Sequence, residues 1–188
     1  EYVLRIPMGF YSIPIVVVFL VALLAACLQN RSLSFDEKLT LMGAMCEEAI
    51  ANSARALLTG DAKLAERLAP LDLEIDRYER DIETLCLRLL LQQQPVATDL
   101  REISSALKMI TDMERIGDQA SDIAEIIPFF LAHNTFDCTT VCRMARQASS
   151  MVVKSVEAFV TKDVQLAQSV AKMDDQVDED FSSTKQAL

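Results

Sequence analysis

In the run Leu64-Ala-Glu-Arg-Leu68-Ala-Pro-Leu71-Asp-Leu-Glu-Ile75-Asp-Arg-Tyr78-Glu-Arg-Asp-Ile82-Glu-Thr-Leu85-Cys-Leu-Arg-Leu89, large apolar side chains recur at alternating steps of four and three. That is a heptad seam, so the run reads as a long helix that packs on neighbouring helices. Pro70 interrupts the seam and should kink the helix or shift its start. Upstream, Thr59-Gly60-Asp61 reads as a turn with Asp61 as an N-cap. Downstream, Gln92-Gln93-Gln94-Pro95 turns the chain.

The neighbours of this helix follow the same logic. Leu39, Met42, Cys46, Ala49, Ser53 and Ala56 keep 3/4 spacing, which predicts a helix from Ser34 to about Leu58. A third helix is expected over about Val96–Leu131, with a seam of Val96, Leu100, Ile103, Leu107 and Ile110 that turns polar at Glu114, Gly117, Ser121 and Ala124. Pro128 can end its regular part early. Short connections make the three antiparallel neighbours. Ala132-His133-Asn134-Thr135 looks like a linker. A fourth helix carries Val141, Ala145, Ala148, Val152, Ser155 and Phe159, and a fifth carries Leu166, Val170, Met173 and Val177.

The last two helices repeat the first two. At an offset of 102, residues 49–80 align on 151–182 without a gap, and nine of the 32 pairs are identical. The turn Thr59-x-Asp61 recurs as Thr161-x-Asp163, and Asp72-x-x-x-Asp76 recurs as Asp174-x-x-x-Asp178. The expected fold is therefore all-α: tandem antiparallel three-helix bundles, the second incomplete, preceded by an apolar N-terminal helix. The divisions fall at 1–33, 34–132 and 133–188. The second unit reads to Leu188 without a third helix, which leaves an apolar groove for a missing C-terminal part or a partner helix to fill.

Composition agrees. The chain of 188 residues is 51% hydrophobic and 6% aromatic, with four Gly and five Pro, too few breakers for an all-β fold. A net charge of −10, with no basic run, excludes nucleic-acid binding. Five cysteines at irregular spacings point to a reducing compartment, not to a disulfide framework. Cys138-x-x-x-Cys142 lacks the second pair that a zinc site would need. The single His133 excludes chemistry built on several imidazoles.

Between Arg5 and Arg31 no residue is charged, and the segment is apolar all round. At about 1.5 Å per residue it is long enough to cross a bilayer. A membrane anchor over about residues 9–28 is the first reading. A signal peptide is the alternative, and Leu24-Ala25-Ala26-Cys27 resembles a bacterial lipoprotein cleavage box. The start at Glu1 instead of Met also fits a fragment or processed product.

Asp72, Asp76, Glu79 and Glu83 form one acidic stripe, and Glu114, Asp118, Asp122 and Glu125 form another. Like charges at these spacings repel. With the hairpin centred near residue 93, Asp72 and Glu114 come to one height, and Asp76 and Asp118 lie one turn to either side. Carboxylates from two helices could then share hard cations such as Mg²⁺, Mn²⁺, Ca²⁺ or Fe³⁺. The other reading is an exposed acidic face paired with Arg77, Arg80 and Arg115.

Gln92-Gln-Gln-Pro-Val-Ala-Thr-Asp-Leu-Arg101, Ala106-Leu-Lys-Met-Ile-Thr-Asp-Met-Glu-Arg-Ile-Gly-Asp118 and Ile123-Ala-Glu125, in this register, resemble the PhoU family of phosphate-uptake regulators. The resemblance covers about residues 42–188. It implies a cytoplasmic, non-enzymatic adaptor of two three-helix bundles, at or anchored to the inner membrane. Such adaptors restrain a phosphate ABC transporter through its ATPase subunit and keep a membrane sensor histidine kinase silent when phosphate is ample; a homodimer is compatible. It also implies a divalent or trivalent metal (Mg, Mn, Fe or Zn) at Asp72, Asp76, Glu114 and Asp118, and at Asp174 and Asp178 in the second unit. The chain departs from the family pattern in a first helix shortened by about two turns, in Pro70, in the segment 9–28 and in the absent third helix of the second bundle. The apolar segment keeps open an alternative, the regulatory domain of a membrane sodium–phosphate cotransporter. Neither a nucleophile with a base, nor a phosphate-cradling Gly loop, nor a cofactor fingerprint is found, which argues against a metal-dependent hydrolase.

Overall fold

The computed structural model describes residues 12–93, 96–133 and 139–187, with side chains from Phe35 onward except those of residues 93, 129–133 and 187. Among the described residues every regular element is an α-helix: α1 Ser12–Thr59, α2 Ala62–Glu66, α3 Leu68–Gln93, α4 Ala97–His133, α5 Thr139–Thr161 and α6 Val164–Ala187. The chain divides into two compact units, Glu1–Asp36 and Glu37–Leu188, and the acidic stripes lie in the second.

The first helix is not shortened. It begins at Ser12, because no Gly or Pro lies between Ile15 and Met42 to stop it. The anchor proposed over residues 9–28 involves side chains outside the described residues. Among the described residues, no helix is long and apolar enough to cross a membrane.

The 3/4 stripe of α1 is the inner face of the fold. Leu39, Met42, Cys46, Ala49, Ser53 and Ala56 are all buried. Polar contacts also fix α1 on its neighbours. The Cys46 thiol donates to the Met113 carbonyl of α4 at 3.3 Å, and Lys38 Nζ meets Asp81 Oδ2 of α3 at 2.9 Å. Burial pushes the Cys46 thiol up to about 12.

Pro70 shifts a helix start, as expected. The helical run breaks at Arg67, and Pro70 falls in the first turn of α3, where its missing N–H leaves no hydrogen bond unmade. Along α3 the deepest residues are Leu68, Ile75, Ile82 and Cys86, while Leu71, Tyr78 and Leu85 are half-buried.

α4 differs from its reading. The buried line is Ile103, Ala106, Ile110, Met113, Gly117 and Ala120, ending at Ile127. Val96 and Leu100 are exposed, and Leu107, Glu114, Ser121 and Ala124 only flank the line. The seam therefore does not turn polar at Glu114. It stays apolar but narrow, using small residues that a search for large side chains passes over. Pro128 lies inside the helix, which runs on through Ala132 to His133. The connection to α5 therefore begins after His133, two residues beyond the expected linker start, and residues 134–138 lie outside the described residues.

The repeated turn keeps its form. Thr59 Oγ1 donates to the Arg55 carbonyl at 2.8 Å, and Thr161 Oγ1 donates to the Glu157 carbonyl at 2.7 Å. The next residue is left-handed in both, Gly60 at φ 66° and Lys162 at φ 58°. Asp61 then accepts from Lys63 N–H at 2.9 Å, and Asp163 accepts from Gln165 N–H at 2.9 Å and Leu166 N–H at 3.0 Å.

α5 and α6 pack as a hairpin pinned by one fork. Arg143 Nε and Nη2 each reach an Asp180 carboxylate oxygen at 2.8 Å. Arg143 holds the Asp180 carboxyl below the usual carboxylate range. The hairpin meets α4 through Lys162 Nζ and Glu102 Oε2 at 3.0 Å, and meets α1 where Val156 fits against Gly43.

α3 and α4 approach closely at Gly117. A Cβ there would stand 2.8 Å from Asp72 Oδ1 and 3.1 Å from Ile75 Cδ1. Mid-helix Gly costs about 1 kcal/mol relative to Ala, and overpacking a tight contact costs about 1–3 kcal/mol. Gly117→Ala is therefore expected to lose about 1 kcal/mol net in urea unfolding, despite its better helix propensity.

Candidate metal centre

The connection between Gln93 and Ala97 sets the register of the α3–α4 hairpin. Thr111 Oγ1 donates to Glu79 Oε1 at 3.4 Å, and Gly117 abuts Asp72. The hairpin is thus centred on residue 95, two positions later than the sequence arithmetic assumed. Moving the centre by two moves every partner by four, one helical turn. Asp72 consequently meets Asp118 and not Glu114, which lies nearer Asp76 and Glu79.

Three of the expected ligands come together. Asp72, Asp76 and Asp118 each offer a carboxylate oxygen, and these lie within 4.8 Å of one another. Asp72 and Asp76 are half-buried and Asp118 is exposed. Asp72 Oδ1 is buried and has no hydrogen-bond partner. Desolvation, then Asp118, Asp76 and Asp122, push the Asp72 carboxyl above its ordinary 3.8. Glu114 is shifted the same way from 4.5, by desolvation and then by Asp118, Glu79, Asp76 and Asp72. It stands beside the trio, not within it.

Arginine does not neutralise the cluster. Arg80 reaches Asp76 at 3.7 Å from an exposed position, and Arg115 turns to Asp112 at 3.7 Å. Contacts of that kind are worth at most about 1 kcal/mol. An oxygen-only set with one orphaned oxygen fits a hard cation, whose oxygen distances are about 2.0–2.6 Å. Asp174 and Asp178 are exposed, and among the described residues they join no comparable group. Reading the sequence alone placed all three trio residues on facing helices but did not single out Gly117 as the gap that admits Asp72.

The chain matches the family model "PhoU domain" over residues 39–127 and 141–188. It is 34% identical over 152 residues to the phosphate-specific transport system accessory protein PhoU homolog of Pseudomonas aeruginosa, covering 80% of this chain and 63% of that protein. The homolog of the same name in Clostridium acetobutylicum is 37% identical over 143 residues, covering 75% and 65%. The chain thus spans just under two thirds of the length of these two relatives. The crystal structure of PhoU from Pseudomonas aeruginosa superposes with a TM-score of 0.78 at 31% identity, over 85% of this chain and 77% of that one. From the acidic hairpin through the repeated turn, the chain belongs to the PhoU family.

Proposed function

We propose that this chain is a non-catalytic regulator of phosphate transport. In this reading it restrains a phosphate ABC transporter through its ATPase subunit and keeps a membrane sensor histidine kinase silent when phosphate is ample. It works at the cytoplasmic face of the inner membrane. The observation that carries the reading is the PhoU match across both repeat units. Deleting the gene should switch phosphate-starvation expression on in phosphate-rich medium, and the chain supplied in trans should switch it off. Unchanged expression in the deletion strain would refute the role.

The metal belongs to the same proposal. Asp72, Asp76 and Asp118 would hold it, with Mg, Mn, Fe or Zn as candidates and the hard ions favoured by the all-oxygen set. Bound there, a cation supplies positive charge to a face that otherwise repels itself, and it links α3 to α4. Elemental analysis should find metal in the parent chain and none in Asp76→Asn/Asp118→Asn. At a free metal concentration of 100 Kd the parent should gain about 2.7 kcal/mol. An equal gain in the double variant would remove the site.

pH separates repulsion from metal binding. Asp72 and Glu114 hold their protons more tightly when folded than when unfolded. Their contribution is therefore most favourable at acid pH. It is lost as pH rises from the ordinary carboxylate range through the raised folded values. In chelator, Asp72→Asn should be the more stable chain at pH 7, and the gap should close as pH falls below the ordinary carboxylate range. A gap that widens toward acid would contradict this sign. Added metal should reverse the order at pH 7.

The uncharged segment Ile6–Asn30 favours a second reading, in which this is the regulatory domain of a membrane sodium–phosphate cotransporter. Further apolar spans encoded upstream of Glu1 would select it, and a start codon there without them would reject it.

A further inference from the structure

The end of the α3–α4 hairpin is built unlike its acidic middle. α3 closes with Leu87 and Leu91, one turn apart, and the chain re-enters α4 through Val96 and Leu100, one turn apart. All four are exposed, Leu91 at 84% and Val96 at 71%. Their exposure does not depend on α5 or α6. Glu102 and Met109 are the α4 residues that line the cavity against that hairpin. At about 100° per residue, Leu100 stands about 160° round the helix from Glu102 and about 180° from Met109. Among the described residues α3 touches neither α5 nor α6. A further helix packed on the α5–α6 hairpin therefore leaves this end uncovered.

Charge changes at the same place. From Thr84 to Arg101 the sequence holds Arg88 and Arg101 against one acid, Asp99, in a chain of net charge −10. Both arginines are exposed, and among the described residues neither is in an ion pair. Asp99 lies in the first turn of α4, where the positive end of the helix dipole offsets its charge. Glu102 is held by Lys162. At about 1.5 Å per residue, Glu83 is roughly 12 Å from Leu91 along α3, and Asp118 is roughly 27 Å from Leu100 along α4. Both distances exceed the screening length of about 8–10 Å in physiological salt.

We propose that this end of the hairpin seats on an anionic bilayer surface, with Leu87, Leu91, Val96 and Leu100 at the acyl boundary and Arg88 and Arg101 among the headgroups. Apolar side chains flanked by arginines match the layering of such a surface, where hydrocarbon lies beneath negative charge. A second protein fits less well. Four aliphatic side chains fall short of the ~800 Å² per partner that a standard interface buries, and they crown a hairpin end instead of lining a groove. Seated end-on, the chain keeps its carboxylate trio in solvent, away from lipid charge of the same sign. The proposal requires neither a bound metal nor the role in phosphate signalling.

The sequence has no Trp, so a single one reports its own surroundings. Full 1–188 chains carrying Leu91→Trp, or Val96→Trp should the first misfold, are mixed with vesicles of phosphatidylcholine alone or with added phosphatidylglycerol. Leu58→Trp, beside the Gly60 turn and also exposed, is the control. In the anionic vesicles the emission of Leu91→Trp should move to the blue and be quenched by brominated acyl chains, while that of Leu58→Trp stays unchanged. Arg88→Glu/Arg101→Glu should cut the inserted fraction about tenfold. No shift in either hairpin variant would overturn the proposal. So would an equal shift in neutral vesicles, or an equal shift in Leu58→Trp, which would trace the binding to another part of the chain. A blue shift that grows with protein concentration in the absence of lipid would assign the hairpin end to a second copy instead.

Discussion

Everything in the candidate metal centre depends on the missing side chain at residue 117. Gly117 brings α4 so close to α3 that Asp72 Oδ1 lies inside the interface. A buried acceptor without a donor costs about 1–3 kcal/mol, and a mid-helix glycine adds about 1 more. A helix pair selected for stability alone would remove both. Both are kept here, with two further carboxylates in reach of Asp72. The buried residues Ile75, Ile82, Ile110 and Met113 supply apolar contact that holds the pair together.

The repeat shows how one local code yields two different surfaces. The threonine, the left-handed residue and the aspartate N-cap build the same corner twice, with Gly60 in one and Lys162 in the other. Glycine adopts that backbone freely, whereas lysine does so at a cost of about 1 kcal/mol. Lys162 uses its side chain to reach Glu102 and so to fasten its hairpin to α4. Beyond the corner the units diverge. The first turns its aspartates toward a facing helix, and the second buries a different acid, Asp180, in the grip of Arg143.

Much of this architecture could be read from the chain. The α1 stripe was fully legible because it has one apolar or small residue per turn and no competing face. The α3 break was legible because Pro70 permits few alternatives. α4 was misread for a physical reason: Leu100 and Leu107 are large and regularly spaced, yet the real contact line runs through Ala106, Gly117 and Ala120, where close approach matters more than bulk. The register slip has the same origin. Residues 93 to 97 do not announce where a turn is centred, and an error of two positions there becomes a full helical turn at Asp72 and Asp118. The burial of Asp180 was invisible, because a carboxylate on a helix face gives no sign that a guanidinium from another helix will meet it.

Cys46 carries a last consequence. Its thiol sits between α1 and α4, donates to a backbone carbonyl and holds its proton far above neutral pH. In the closed fold it cannot form the thiolate that reacts with electrophiles. Its rate of alkylation is therefore a clock for the parting of α1 from α4. Cys86 on α3 is also buried, with its thiol pushed up to about 11, and it offers a second clock, on a different helix. Cys46 and Cys86 are thus internal reporters of breathing, and the ratio of their rates would tell which helix leaves first.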